Sequence, residues 1–249
     1  MHRILIPIDS LSEEAWEYAF AYATKINESA GKSLNVMLLT HTKPQLTQGG
    51  FRHQMGASAV RALAAGKPVQ LPSGSTLRHA TLRTVGRVLN DAILIAYYAE
   101  TKMLEAVDDL KGLAGVIVVP DFPESADQWA ARWSPIVHGK TQQTSVSLID
   151  DPVVEAALLH LTQMVNLSTG LAHPRDKDMA NEVLRILRYK NHNIDVVKMK
   201  SWAIKNGWQS DGANDLARLA SKIGSLRRKP SMAKIYNWQD RYSRWNGAN

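Results

Sequence analysis

Asp9, Glu100 and Asp121 each close a short apolar run and stand before a stretch suited to a helix. Three carboxylates gathered at the carboxyl ends of neighbouring strands would repel one another unless a cation compensated them. Mg²⁺ typically takes one or two carboxylates together with phosphate oxygens. The same residue types also cap helices and complement the dipole at a helix start, so plain capping stands as the other reading. Thr40 and His41, after a second apolar run, belong to the same strand-end set. A separate candidate is Gly74-Ser75-Thr76 followed by Arg78, Arg83 and Arg87, where guanidinium forks could hold phosphate oxygens or simply be solvated. A third set is cationic: Arg218, Lys222, Arg227, Arg228 and Lys229.

Several chemistries are excluded by what the chain lacks. It has no cysteine, hence no disulfide, thiolate zinc site or cysteine nucleophile. No G-x-x-x-x-G-K-[ST] loop, H-E-x-x-H pair or G-x-S-x-G elbow occurs among its 249 residues. Nothing in the pattern marks a catalyst.

The elements that would position these residues follow from periodicity. Residues 3–8, 34–40, 92–99 and 116–119 read as near-continuous apolar strands. Ser12 is suited to cap a helix whose stripe is Trp16, Ala19, Phe20, Ala23 and Ile26, and Met103, Leu104, Val107 and Leu110 repeat that spacing. A further helix is expected around 126–133. Such alternation predicts an α/β fold, a Rossmann-like three-layer parallel sheet. Residues 44–90 are less periodic and are expected to form an excursion on the ligand side of the sheet, with 76–85 as one further strand candidate.

The opening ILIPIDSLSEEAWEYAFAYATKI, with NVMLLTHTKP after it, resembles the start of universal stress proteins and the wider adenine-nucleotide α-hydrolase-like superfamily. The resemblance covers roughly residues 1–45. It implies that Asp9, with Ser10 beside it, helps hold a nucleotide; Glu100 and Asp121 join the candidate site by their strand-end positions, where open α/β sheets bind ligands. Mg²⁺ or an adenine nucleotide is therefore the cofactor expectation. The family's glycine-rich phosphate signature would follow residues 116–119, where this chain reads Pro120-Asp121-Phe122-Pro123-Glu124.

Charge divides the chain. The formal net charge is +7, yet residues 1–150 carry 14 cationic and 14 anionic side chains, so the whole excess lies in residues 151–249. Residues 140–147 are polar and aperiodic and read as a linker. An α/β domain over 1–140 and a small all-α, basic domain over 150–249 are expected. Asp151-Pro152, Pro174 and Asp195 mark helix starts. Residues 195–224 resemble a helix-turn-helix: Ala203, Gly207, Ala213 and Leu216 occupy the small, turning and apolar positions, and Asn214, Arg218, Ser221 and Lys222 face outward. In such a unit Asn and Arg suit base edges and Lys suits phosphates. The tail interleaves Lys234, Arg241 and Arg244 with Tyr236, Trp238, Tyr242 and Trp245, and aromatics beside cations can stack on bases. A purely structural bundle, in which Trp202 and Trp208 are core anchors, is the competing reading. The stretch Trp202-Ala203-Ile204-Lys205-Asn206-Gly207-Trp208 is also similar to the W-A-x-x-x-G-W turn of small bacterial helical domains of unassigned function.

The expectation is a non-catalytic binding or regulatory protein whose helical domain contacts DNA or RNA. The alternatives are a nucleotide- or Mg²⁺-dependent α/β protein and a scaffold that binds a protein partner or a second copy of itself. No apolar stretch approaches the ~20 residues of a membrane span, and Pro7 and Asp9 interrupt the N-terminal run, so a cytoplasmic location is expected.

Overall fold

The computed structural model describes residues 1–141 and 147–247, which form two compact units, Met1–Ser145 and Val146–Asn249. Most of the expected linker, residues 142–146, lies outside the described residues.

The first unit is α/β. Its strands are β1 (His2–Leu5), β2 (Asn35–Thr40), β3 (Val69–Gln70), β4 (Thr76–Thr81), β5 (Val88–Ala99), β6 (Lys111–Pro120) and β7 (Ile136–Val137). They make one sheet in the order β3-β4-β2-β5-β6-β1-β7, parallel throughout except for the β3–β4 edge pair. The helices are α1 (Glu13–Ala30), α2 (Lys43–Gln48), α3 (Phe51–Ala64), α4 (Thr101–Asp108) and α5 (Asp127–Trp133). Ser12 caps α1 by accepting from the Ala15 amide at 3.2 Å, and Glu13 and Glu14 fill its first turn.

Alternate residues of the central strands point to opposite faces, which builds two cores. Ile93, Ile95 and Ile117 meet Trp16, Ala19 and Ile26 of α1 together with Phe51, Val60 and Leu63 of α3. Leu94, Ala96, Val116 and Val118 meet Met103, Leu104 and Val107 of α4 and Trp129 of α5. The three-layer α/β architecture expected from the apolar runs is therefore present.

Two details could not be read from the pattern. First, β1 and β2 are not neighbours: β5 and β6 lie between them, unlike the usual doubly wound order, in which the first two strands are adjacent. Helix α1 spans that gap and comes so close at Gly115 on β6 that an added Cβ would sit 2.7 Å from Ile26 Cδ1. Second, residues 44–90 are not an excursion from the fold. They supply α2 and α3, which cover the α1 face, and β3 and β4, which extend the sheet. The weak periodicity reflects a break at Gly56, with φ +83, inside α3 and the short antiparallel edge.

At the opposite end of this unit from the strand tips, Asp108 closes α4 in a buried knot. It accepts from Trp133 Nε1 at 2.7 Å, from Trp129 Nε1 at 3.2 Å and from Arg132, and Arg3 stacks on Trp133 at 3.5 Å. Burial pushes the Asp108 carboxyl up, and Arg132 with the two indoles pulls it back.

The second unit is helical: α6 (Pro152–Met164), α7 (Pro174–Tyr189), α8 (Val196–Lys205), α9 (Ser210–Gly224) and α10 (Trp238–Trp245). Asp151 caps α6 and Asp195 caps α8 through their carboxylates, while His173 Nδ1 accepts from the Arg175 amide at the start of α7. Leu158, Leu161, Val183, Leu187, Met199 and Leu216 are buried. Trp202 and Trp208 are buried too, donating to Glu155 at 3.3 Å and to Thr162 at 2.9 Å, so both anchor the α8–α9 pair on α6. No described helix in either unit is long and apolar enough to cross a membrane.

Candidate functional site

In open α/β sheets a crevice forms where helices following adjacent strands leave for opposite faces. The first unit has two such places. The helix after β2 joins the α1 face and the helix after β5 joins the other, so β2 and β5 open one crevice; β1 and β6 open a second in the same way. The three carboxylates are divided between them: Asp9 and Asp121 follow β1 and β6, and Glu100 follows β5, with Oε1 3.5 Å from His41 Nε2. Among the described residues no group of three or more His, Asp or Glu side chains is placed to hold a metal ion.

Local bonding accounts for several of these residues. Asp9 Oδ1 accepts from the Leu11 amide at 2.9 Å and its carbonyl accepts from Ser12, an Asx-type turn that leads into α1. Ser10 is only 2% exposed, and its carbonyl accepts from the Tyr97 hydroxyl at 2.9 Å, so it is closed to a ligand. Glu100 occupies the cap position of α4 without a side-chain cap bond. The segment after β6 runs into a 3₁₀ turn, Pro123–Ala126, led by a proline. It offers no glycine cradle for a phosphate, and the donor set does not fit Mg²⁺ with a nucleotide in the manner implied by the resemblance.

One strand-end feature escaped the sequence reading. Tyr98 adopts φ +57, a left-handed conformation rare for a bulky residue. It does so in a bulge of β5 against β6, where the register shifts between Tyr97 and Ala99. The extra residue turns Tyr98 onto the same face as Tyr97, so both rings pack with Phe51, at 5.7 and 5.1 Å. Burial raises the pKa of both tyrosines, and a hydrogen bond from Gly50 opposes this at Tyr98. Nearby, Thr40 Oγ1 donates to the Thr42 carbonyl and takes a 2.9 Å bond from His79 Nε2. Burial, and then Lys43, lower the His79 pKa to about 4, so the ring is neutral. The Gly74, Ser75 and Thr76 candidate is also structural: Ser75 is buried and bonded to Asn27, and Thr76 donates to Asn35.

In the helical unit, α8, a Gly207 turn and α9 lie where helix-turn-helix spacing predicts. The start of α9 packs closely on its inward side. Ser210, Gly212 and Ala213 are buried, and Gly212 backs on Gly170 so tightly that an added Cβ would be 3.0 Å from the Gly170 Cα. The more open positions there include Asp211 and Asp215, and Arg218 is ion-paired with Asp215 one turn earlier.

The cations collect at the other end of α9. After Gly224 the chain crosses α7 as a strap. Arg188 Nη2 donates to the Leu226 carbonyl at 3.4 Å and Arg185 Nη2 to that of Ser231 at 2.7 Å. Buried Pro230, Met232 and Ile235 pin the strap, leaving Arg227, Arg228 and Lys229 exposed. Lys229 Nζ lies 5.4 Å from the Tyr189 ring centroid, and Lys190 Nζ lies 4.5 Å from that of Tyr242 and 5.6 Å from that of Trp238. Tyr189 packs edge-on against Trp238 at 5.2 Å. Helix α10 is held by Arg241 to Glu182 at 2.6 Å and by a chain in which His192 bridges Asp151, at 2.6 Å, and Tyr242, at 3.1 Å. The tail aromatics Trp238 and Tyr242 were candidates in the sequence, whereas Tyr189 and Lys190 were missed because no spacing rule links them to residues so far along the chain.

No curated protein and no solved structure matches the chain. Residues 150–246, the helical unit with its strap and its aromatic tail, match the model of a family described as a domain of unknown function (DUF1889).

Proposed function

We propose that the helical unit is a non-catalytic nucleic-acid-binding module. The observation that supports this is the gathering of Arg227, Arg228, Lys229 and Lys190 beside Tyr189, Trp238 and Tyr242 at one end of the bundle. Cations on a short strap suit phosphates, and neutralising phosphates releases counterions, so binding falls steeply with salt. The surface differs from the one a helix-turn-helix would use: Arg218 is tied to Asp215, and Lys222 faces outward near the strap. Titration of the full chain with labelled DNA and RNA at ~50 and ~300 mM salt tests the proposal. Affinity that drops at least tenfold across that range supports it. Weak, salt-insensitive binding to every nucleic acid overturns it.

A second reading concerns the α/β unit and rests on the strained Tyr98 bulge beside the His41–Glu100 pair, since such strain concentrates at ligand sites. It is a small-ligand site in the β2–β5 crevice, separate from the Asp9 position to which the universal-stress resemblance points. A thermal shift with ATP, a cyclic nucleotide or Mg²⁺ that disappears in His41→Ala supports it. Folded protein that shows no shift with any of them removes it.

A further inference from the structure

We infer that the ligand of the strap surface is a single strand rather than a duplex, an inference that rests on the nucleic-acid reading above. Proteins that read duplex DNA through a helix-turn-helix lay the N-terminal part of the second helix in the major groove. Here the outward side of that part is acidic: Asp211 is exposed, Asp215 is half-buried, and Arg218 is paired with Asp215. A duplex backbone approaching it would meet carboxylates.

The cationic end presents different chemistry. Three aromatic rings, Tyr189, Trp238 and Tyr242, lie with Lys190 and Lys229, and the strap that carries Arg227 and Arg228 brings Tyr236 two residues before Trp238. Tyr236 is 83% exposed although its neighbour Ile235 is buried, so the strap turns one apolar side chain inward and the aromatic one out. Trp238 is half-buried, held on one edge by Tyr189. Duplexes hide the faces of their bases, and exposed rings gain nothing from a phosphate wall. Unpaired bases offer those faces, and a groove that alternates cations with rings binds single strands largely without sequence preference. Lys229 and Lys190 sit on rings already in place, which fixes charge and stacking platform at one spacing.

The test compares labelled single strands of about 20 nucleotides, oligo(dT) and oligo(U), with a duplex of the same length on the full chain. Single strands should bind at least about tenfold tighter than the duplex. Tyr236→Ala should lower single-strand affinity about fivefold or more, with Tyr236→Phe restoring it, while duplex affinity stays unchanged. Tyr236 is exposed, so an unaltered circular dichroism spectrum and Tm are expected for both variants. A duplex bound as tightly as a single strand, or an equal loss on both ligands in Tyr236→Ala, overturns this inference and leaves nucleic-acid binding standing. No salt-dependent binding to either ligand overturns both.

Discussion

Lys229, on the strap after α9, holds its ammonium 5.4 Å from the ring centroid of Tyr189, the last residue of α7. The pairing joins a cationic run to an aromatic surface that the linear sequence keeps apart. The exposed face of α9 differs, for there Arg218 is ion-paired with Asp215.

Removing charge from the strap should therefore matter more than removing it from the helix. Arg227→Ala/Arg228→Ala/Lys229→Ala is expected to reduce the slope of log affinity against log salt by about two. Arg218→Ala should change that slope by less than about one, because the Asp215 carboxylate beside it offsets its charge. Fluorescence anisotropy over a salt series separates the two results, and an equal change in both variants would return the interface to α9.

The close approach of Gly170 and Gly212 should make the start of α9 intolerant of any side chain. Gly212→Ala brings a Cβ within 3.0 Å of one Cα, and Gly170→Ala brings one within 2.5 Å of the other while forcing alanine to φ +55. Both should destabilise the helical unit, by about 1–3 kcal/mol for Gly212→Ala and more for Gly170→Ala. Urea unfolding followed by the fluorescence of the tryptophans measures the order, which reverses if the loop gives way freely.

The Asp108 knot should behave as a buried ion pair. Asp108 and Arg132 are each 3% exposed at the side chain. Asp108→Ala leaves Arg132 and two indole N–H groups without their acceptor, at a cost of about 3–5 kcal/mol. Asp108→Leu/Arg132→Met removes both charges and should cost less than Asp108→Ala alone. A double variant that is the less stable of the two in thermal unfolding would show that the pair itself, rather than the unpaired charge, carries the effect.

His79 makes the α/β unit sensitive to acid. Its folded pKa of about 4 lies below the ordinary 6.5, so in that interval the unfolded chain binds the proton that the folded chain refuses. Stability should be flat above pH 6.5 and decline as pH falls towards 4. His79→Gln keeps a donor towards Thr40 and should flatten that part of the profile. Denaturant midpoints across the range check it, and an unchanged slope in the variant would assign the acid sensitivity elsewhere.

Much of this was legible in the chain. The strands around Ile4, Leu38, Ile95 and Ile117 are so apolar that they had to be covered on both faces, and Ser12, Asp151 and Asp195 announce their helices through short-range bonds to amides two or three residues on. The candidate site was legible only in part. Arg227, Arg228 and Lys229 are a contiguous run and visible as such, and Asp215, three residues before Arg218, already sets a carboxylate on the outward face of α9, where the structure pairs the two. The carboxylates Asp9, Glu100 and Asp121 look alike by position, yet the strand order sets Glu100 against His41 and the other two in a separate crevice.

Local physics, meaning periodicity, caps and charge counted along the chain, was enough to specify an α/β unit followed by a basic helical one. It could not order the strands, because β1 is as apolar beside β6 as it would be beside β2. Nor could it turn Tyr98 onto the face of Tyr97, since a bulge depends on register against another strand. The basic surface beside Tyr189 and Trp238 likewise exists only once the strap has crossed α7 and α10 has docked. Contacts between distant residues are set by packing and not by spacing, and the proposed function lies in those contacts.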